Sequence, residues 1–156
     1  MKIAVLDNIR SVYNVGSIFR TANAVGIEKI YLCGITPTPL DKKGKKRSDF
    51  AKVALGAEDT IAWEFVETAS ECLSLLKNNS YYSIALEQHK DSTDYKGISI
   101  KGKENIAFII GNETEGVSEI MLKNSDVIAE IPMLGTKESL NVTIAFGIAS
   151  YSILGI

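Results

Sequence analysis

Three short segments combine side chains that can bind phosphate, donate hydrogen bonds or hold a charge. The first contains Asn14, Gly16 and Arg20, the second is residues 111–116 (GNETEG), and the third is residues 131–141 (IPMLGTKESLN). Arginine presents a planar fork of donors that suits a phosphate group. Glycine at the start of a helix lets a backbone segment or a ligand approach closely, and helix N-termini favour anions. These residue types favour a site for a polar or phosphate-bearing ligand.

Each segment taken alone also fits an ordinary structural role. Arg20 is typical of a surface ion pair, residues 111–116 of a solvated turn, and Ser139 of a helix N-cap. No GxGxxG follows the first predicted strand and no GxxxxGK[ST] occurs, so the usual nucleotide-binding fingerprints are absent. His89 is the single histidine. The sequence therefore offers neither a Ser/His/Asp set nor a cluster of metal ligands, and we expect no metal.

Alternating strand-like and helix-like patterns place the three segments at strand ends. Short apolar runs predict strands at residues 2–6, 29–33, 61–66, 81–86, 105–110 and 127–131. Helical spacing predicts helices at residues 16–25, 68–77 and 117–122, and a further helix near the C-terminus. This order predicts an α/β fold with a mostly parallel sheet flanked by helices. Ligands of such sheets bind at the carboxyl ends of the strands, where the three segments lie.

The C-terminal stretch, residues 131–154, places a polar loop beside a helix that is apolar on nearly every side. A surface helix ordinarily buries one apolar stripe, so this helix has more apolar surface than one core needs. The polar side chains next to it are Thr136, Lys137, Glu138, Ser139 and Asn141. We predict a site in this loop, between two buried elements.

Residues 34–52 form the longest segment that the patterns leave irregular, and residues 88–103 are interpreted as a polar surface excursion. The first of these segments carries the only dense group of basic residues in the chain: Lys42, Lys43, Lys45, Lys46 and Arg47. Long loops in compact domains are usually functional or mobile. A run of charge is equally consistent with a solvated surface and with a binding patch, and both readings stay open.

Composition indicates one domain spanning residues 1–156. The net charge is −2 and 46% of the residues are hydrophobic, which is ordinary for a globular protein. A polyanion would therefore have to be met by a local patch of positive charge. No apolar run resembles a secretion signal or a membrane span, so we expect a cytoplasmic protein without membrane contact. Cys33 and Cys72 are expected to be reduced and buried.

The segments NVGSIFRTANAVG, IGNETEGV and IPMLGTKESLNVTIAFGIA, in this order, resemble the three motifs of the SpoU/TrmH family of RNA 2′-O-methyltransferases. That family belongs to the SPOUT superfamily of α/β-knot enzymes. The resemblance covers nearly the whole chain and implies a C-terminal deep trefoil knot, with S-adenosylmethionine as cofactor. It also implies a homodimer with its active site at the interface. No appended RNA-binding domain is expected within this chain.

The resemblance assigns roles residue by residue. The catalytic and substrate positions of the family fall on Asn14, Arg20, Glu113, Ser139 and Asn141. The positions that line the adenosyl pocket fall on Leu86, Gly111, Ile131, Met133 and Leu140. The basic residues from Lys42 to Arg47 are the candidate RNA-binding patch. Two roles stay open for Arg20, because a guanidinium gives up its proton reluctantly: general base, or ligand of phosphate and of oxyanion charge.

Ribose 2′-O-methylation of RNA is thus the expected activity, with transfer RNA favoured over ribosomal RNA because the chain resembles a minimal catalytic core. Methylation of a base in the same fold is an alternative, although the Asn14 and Arg20 pair argues against it. A non-catalytic module that binds RNA or S-adenosylmethionine is another. A generic α/β nucleotide-binding protein is the remaining alternative.

Overall fold

A seven-stranded parallel sheet runs through the computed structural model, which describes residues 1–156. Its strands are β1 (Lys2–Asp7), β2 (Lys29–Cys33), β3 (Ala62–Val66), β4 (Tyr82–Leu86), β5 (Thr93–Asp94), β6 (Ile106–Gly111) and β7 (Val127–Glu130). Their order across the sheet is β3-β2-β1-β6-β4-β7-β5, and every neighbouring pair is parallel. The predicted α/β class and the parallel sheet are confirmed.

Helices cover both faces of the sheet. They are α1 (Val12–Ala24), α2 (Ser48–Ala54), α3 (Ala57–Thr60), α4 (Ala69–Asn78), α5 (Glu119–Asn124) and α6 (Val142–Leu154), with a 3-10 turn at Tyr95–Gly97. None of these helices is long and apolar enough to cross a membrane. Thr68 is the N-cap of α4 and forms a capping box with Glu71.

Two apolar cores lie on opposite faces of the sheet because successive residues of a strand point in opposite directions. Ala4 and Leu6 of β1 face the core beneath α1, α2 and α6, whereas Ile3 and Val5 face the core beneath α4 and α5. Cys33, in the second core, is buried and unpaired, as is Cys72. Hydrogen bonding with Cys72, and then burial, raise the pKa of the Cys33 thiol.

The first helix begins four residues earlier than predicted because Ser11 caps it, accepting a hydrogen bond from the Asn14 N–H. Gly16 therefore lies inside α1 and not at its start, and what approaches it closely is the backbone of α2. A Cβ at Gly16 would lie 3.1 Å from the Phe50 carbonyl oxygen and 3.2 Å from Val53 Cβ. Gly16 thus lets α2 pack closely against α1, where Phe19 and Phe50 meet edge to face at 5.2 Å between ring centroids.

Three other boundaries differ from prediction. The segment from residue 34 to 52 is not irregular throughout, since α2 begins at Ser48, and the polar excursion contains β5 and a 3-10 turn. Both elements are too short to produce a periodic pattern. Leu140 lies in the loop before α6, and the N-cap of that helix is Asn141 instead of Ser139.

The C-terminal helix α6 buries one face and exposes another. Phe146, Ala149, Ser150 and Ile153 are buried where α6 packs against α1, β6 and the 3-10 turn. The opposite side carries an exposed apolar stripe with exposed fractions of 53% for Ile144, 38% for Ile148 and 41% for Tyr151. The predicted excess of apolar surface is confirmed.

Candidate active site

A cavity of about 410 Å³ opens at the carboxyl ends of β4, β6 and β7. These ends lie side by side because Leu86 of β4 pairs in register with Ile110 of β6 and Ala129 of β7. The cavity is lined by parts of two loops and by the start of α6. We name residues 112–118 the β6 loop and residues 132–140 the β7 loop. The volume is typical of small-molecule sites.

All five residues predicted for the adenosyl pocket line this cavity. Leu86 and Gly111 end two neighbouring strands, and Ile131, Met133 and Leu140 come from the chain segment after β7. The cavity is also lined by Asn112, Thr114 and Gly116 of the predicted segment 111–116. Further lining residues had no role assigned from sequence, namely Glu87, Gln88, Ile110, Ala129, Val142 and Ala145. The polar lining residues directly after β4 could have been identified from the sequence, because they follow a predicted strand at the carboxyl edge of the sheet.

The β6 loop is a closed turn held by its own backbone and by one amide side chain. Asn112 and Gly116 exchange two backbone hydrogen bonds of 2.9 Å each. The Asn112 Oδ1 atom accepts hydrogen bonds from the N–H groups of Thr114 and Glu115, and its Nδ2 donates to the Asn8 carbonyl at 2.7 Å. Asn112 therefore fixes both the shape of the loop and its position against the end of β1.

Glycine is required at the start of this loop. A Cβ at Gly111 would lie 2.1 Å from the Val117 nitrogen and 2.2 Å from the carbonyl carbon of Gly116, both of them backbone atoms. Any side chain at position 111 would push the loop away from the strand it folds back on.

Two carboxylates hold the far end of the β6 loop. Glu87 Oε2 accepts a hydrogen bond from the Val117 N–H at 2.8 Å, and Asp7 Oδ2 accepts one from the Ser118 N–H at 2.8 Å. The loop is thus bound to the ends of β4 and β1 at consecutive amides. Hydrogen bonds to charged acceptors are stronger than those between neutral groups, so this anchoring is firm.

Glu113 connects the β6 loop to the N-terminus of α1. Its carboxylate accepts hydrogen bonds from the backbone N–H groups of Arg10 and Ser11, each at 3.0 Å, and from Asn14 Nδ2 at 2.8 Å. Burial opposes ionisation of Glu113. The hydrogen bonds from Arg10, Asn14 and Ser11 outweigh that effect, so the pKa of Glu113 lies below its ordinary value. A negative charge at a helix N-terminus is also favoured by the helix dipole.

Asn14 carries this connection on to α6. Its Oδ1 accepts a hydrogen bond from Asn141 Nδ2 at 3.5 Å, and Asn141 Oδ1 in turn accepts one from the Thr143 N–H at 2.8 Å. Glu113, Asn14 and Asn141 therefore form one hydrogen-bonded chain across three elements. The structure brings together these three residues from three separate motifs, the outer two of which, Asn14 and Asn141, are 127 positions apart in the sequence.

The β7 loop differs from the β6 loop in having no hydrogen bonds. No hydrogen bond joins residues 132–140 to each other or to the rest of the chain. Leu134 is 99% exposed, and Ser139, although it lines the cavity, has no hydrogen-bond partner. This side of the cavity is open.

A family model described as the SpoU rRNA methylase family matches residues 1–151. The chain belongs to this family. Solved structures with the same fold include a TrmH/SpoU tRNA-modifying enzyme of A. aeolicus, with a TM-score of 0.83 and 27% identity. That likeness covers 99% of this chain and 74% of the other. The fold is the knotted α/β fold of the SpoU family, as the motifs implied.

Two further relatives share this SpoU fold or sequence. An AdoMet-bound rRNA methyltransferase of Sinorhizobium meliloti gives a TM-score of 0.88 at 26% identity, covering 97% of this chain and 55% of that one. A 23S rRNA (guanosine-2′-O-)-methyltransferase RlmB of Neisseria meningitidis is 29% identical over 145 residues, or 93% of this chain and 54% of the relative. The chain spans about half the length of the curated relatives it matches.

Arg20 lies apart from the cavity in this SpoU-family chain. It is exposed on α1, six residues beyond Asn14, and its guanidinium forms no ion pair or hydrogen bond. The cavity therefore collects Glu113, Ser139 and Asn141 directly, reaches Asn14 through hydrogen bonds, and does not include Arg20.

The basic patch is exposed but partly neutralised. Lys46 pairs with Asp59 and Arg47 pairs with Asp49, which leaves Lys42, Lys43 and Lys45 without an ion-pair partner. Asp41, whose carboxylate accepts the N–H groups of Lys43 and Lys45, shapes the turn that presents them. No group of three or more His, Cys, Asp and Glu side chains is placed to hold a metal ion.

Proposed function

We propose that this chain transfers a methyl group from S-adenosylmethionine to a ribose 2′-hydroxyl of RNA. One observation carries the proposal: a single cavity contains all five predicted adenosyl-pocket residues together with Glu113, Ser139 and Asn141. Membership of the SpoU family and the AdoMet-bound relative from Sinorhizobium meliloti support it.

The residues of the cavity fit the cofactor. Leu86, Ile131 and Leu140 offer apolar walls for an adenine ring, and Gly111 lines the cavity at the end of its strand. Glu113, Ser139 and Asn141 add polar groups at the same opening. When bound, S-adenosylmethionine supplies an electrophilic methyl group on a positively charged sulfur.

The protein contributes to this reaction chiefly by positioning. Both oxygens of Glu113 accept hydrogen bonds, from the N–H groups of Arg10 and Ser11 just before α1 and from the Asn14 side chain, so Glu113 holds Asn14 and the helix in place and does not act as a free base. The Asn14 amide, oriented from both sides, is available to direct the ribose hydroxyl. Arg20, whose donors are unpaired, binds the adjacent phosphate and stabilises the developing oxyanion.

Arg20 lies outside the cavity of its own chain, and this suggests that a second copy completes the site. We propose a homodimer that covers the exposed stripe of Ile144, Ile148 and Tyr151. The variant Ile148→Glu tests it, with Ile120→Glu as the control, because Ile120 is 42% exposed on α5. Sedimentation velocity should show dissociation only for Ile148→Glu. A monomeric wild type, or equal behaviour of the two variants, rejects the dimer.

Transfer RNA is the proposed substrate, supported by the tRNA-modifying enzyme of A. aeolicus, of which this chain covers the largest share among the relatives described above. Lys42, Lys43 and Lys45 are the proposed phosphate contacts, because they are the unpaired members of the basic patch. Replacing all three by Gln should reduce the slope of log K against log salt by up to about 0.9 per lost contact. An unchanged slope would exclude the patch.

Calorimetry with S-adenosylmethionine, followed by methyl transfer to total cellular RNA, tests the activity. Binding with transfer to ribose supports the proposal, and mapping the methylated nucleotide then decides between tRNA and rRNA. Binding without transfer to any RNA favours a non-catalytic module, and absence of binding rejects the cofactor. The pH-rate profile of Arg20→Lys separates the roles of Arg20: an unshifted profile with a modest loss of rate favours the phosphate-binding role.

A further inference from the structure

We propose that Glu87 is a positioning residue that sets cofactor affinity by fixing the Gly116–Val117 peptide in the wall of the cavity. This inference rests on the proposed function. Glu87 directly follows the last residue of β4 and itself lines the cavity, as do Gly111, Asn112 and Gly116. None of the three sequence motifs contains it.

Both carboxylate oxygens of Glu87 accept backbone hydrogen bonds. Oε2 accepts from the Val117 N–H at 2.8 Å, and Oε1 accepts from the N–H of the neighbouring Gln88 at 2.9 Å. The second bond orients the carboxylate, so that the first is aimed at one peptide of the β6 loop. Val117 is buried, so its N–H cannot form a hydrogen bond to water in place of the one to Glu87 if Glu87 is removed.

The loop rests directly on this carboxylate. Gly116 has a φ of +73°, and a Cβ at that position would lie 2.1 Å from Glu87 Oε2. On the other side, a Cβ at Gly111 would lie 2.1 Å from the Val117 nitrogen. The peptide is therefore held between the end of its own strand and the carboxylate of the neighbouring strand, and two glycines make both close approaches feasible.

The position of the Gly116–Val117 peptide affects the cofactor site because this peptide lies between Gly111 and the loop that carries Glu113. Gly111 belongs to the predicted adenosyl pocket, and Glu113, in the same loop, connects the pocket to α1 and Asn14. If the peptide moves, the pocket floor and the anchoring of Asn14 move with it. Loss of Glu87 should therefore weaken cofactor binding more than it lowers overall stability.

The chain offers a matched control. Glu67 follows the last residue of β3 just as Glu87 follows β4, but Glu67 is exposed and makes no hydrogen bond. Glu87→Gln keeps the size of the side chain and one oxygen acceptor, but it places an amide donor where one backbone N–H now points. Glu87→Ala removes both acceptors.

The experiment measures the dissociation constant of S-adenosylmethionine by calorimetry for wild type, Glu87→Gln, Glu87→Ala and Glu67→Gln. We expect about tenfold weaker binding for Glu87→Gln, a larger loss for Glu87→Ala, and a change below about twofold for Glu67→Gln. In steady-state kinetics, KM for the cofactor should rise by a larger factor than kcat at saturating cofactor falls. Wild-type affinity in both Glu87 variants overturns the inference.

A second readout does not depend on methyl transfer. The Val117 amide proton, followed by NMR in the free protein, should move upfield and exchange faster in Glu87→Gln than in Glu67→Gln, because the charged acceptor is lost. A wild-type protein that binds no cofactor rejects the proposed function itself, whereas binding by wild type with an unmoved Val117 signal in Glu87→Gln rejects only the role of Glu87.

Discussion

The β6 loop and the β7 loop line the same cavity, yet they are built in opposite ways. The β6 loop is bound to the ends of β1 and β4 and to the start of α1 by Asn112, Glu87 and Glu113. The β7 loop makes no hydrogen bond from residue 132 to 140 and exposes Leu134 almost completely. One wall of the cavity is therefore formed before any ligand binds, and the other is free to adapt.

This difference follows from the position of each loop in the sheet. β6 lies at the centre, between β1 and β4, so its loop has neighbouring strand ends on both sides to bind to. β7 lies near the edge, beside the two-residue strand β5, and its loop has few partners within reach. Preorganised groups bind without a cost in ordering, whereas a mobile segment pays that cost on binding. We therefore expect the β6 loop to set geometry and the β7 loop to respond to the ligand.

The pair of variants Gly111→Ala and Gly135→Ala tests this difference most strongly. A Cβ at Gly111 collides with backbone atoms of the β6 loop, whereas a Cβ at Gly135 meets nothing within 4 Å. We expect Gly111→Ala to lower the free energy of unfolding by about 3 kcal/mol and to abolish cofactor binding. Gly135→Ala should change the free energy of unfolding by less than about 0.5 kcal/mol. Urea unfolding measures both values. Similar losses of stability in the two variants would contradict the predicted difference between the β6 loop and the β7 loop.

Amide hydrogen exchange should separate the two loops in the unmodified protein. The N–H groups of Gly116 and Val117 donate to Asn112 and Glu87, whereas those of residues 134–140 donate to nothing. We expect the first pair to exchange at least about a hundredfold more slowly than the second group. Protection of residues 134–140 in the free protein would show that the β7 loop is already ordered.

Replacing Glu113 by Gln should destabilise the protein by about 1 kcal/mol, because the charged acceptor of two backbone N–H groups is lost from a partly exposed site. Glu138→Gln, in the β7 loop, should change stability by less than about 0.5 kcal/mol. The pKa of Glu113 is lowered in the folded state. Its contribution is therefore present above the ordinary glutamate pKa of about 4.3 and is lost as pH falls through the lower folded value.

The difference in free energy of unfolding between wild type and Glu113→Gln should consequently be constant above about pH 5 and shrink below about pH 4. Urea unfolding at several pH values measures it. A difference that grows on acidification would mean that Glu113 is bound in its protonated form.

Local patterns predicted six of the seven strands, whereas the residues of the adenosyl pocket were predicted from the resemblance to the SpoU/TrmH family. Leu86 and Ile131 each end a predicted strand. The carboxyl ends of parallel strands meet at one edge of the sheet, where ligands bind. Glu87 was missed because its role depends on a backbone N–H thirty residues away, which no local pattern reports. The early start of α1 was missed because Ser11 and residues 12–14 give a weaker apolar pattern than residues 15–22.

Arg20 shows a different limit. Its residue type and motif position predicted a place in the active site, but side-chain chemistry alone does not fix where a residue lies relative to the cavity. In this single chain it lies outside the cavity, and the unpaired stripe on α6 is the physical reason to look for a second copy. Neither quaternary contacts nor long-range hydrogen bonds are encoded in spacing along the chain.

Leu134→Ser should have the smallest effect of all and is the sharpest check on the open wall. The Leu134 side chain is 99% exposed, so removing it takes no apolar surface out of the folded core. We expect the free energy of unfolding of the free protein to change by less than about 0.5 kcal/mol, against about 2 kcal/mol for Val117→Ala in the buried part of the β6 loop. A loss above about 1 kcal/mol for Leu134→Ser would mean that the Leu134 side chain is packed against other residues even before ligand binds. The β6 loop and the β7 loop would then differ in their hydrogen bonds but would both be ordered in the free protein.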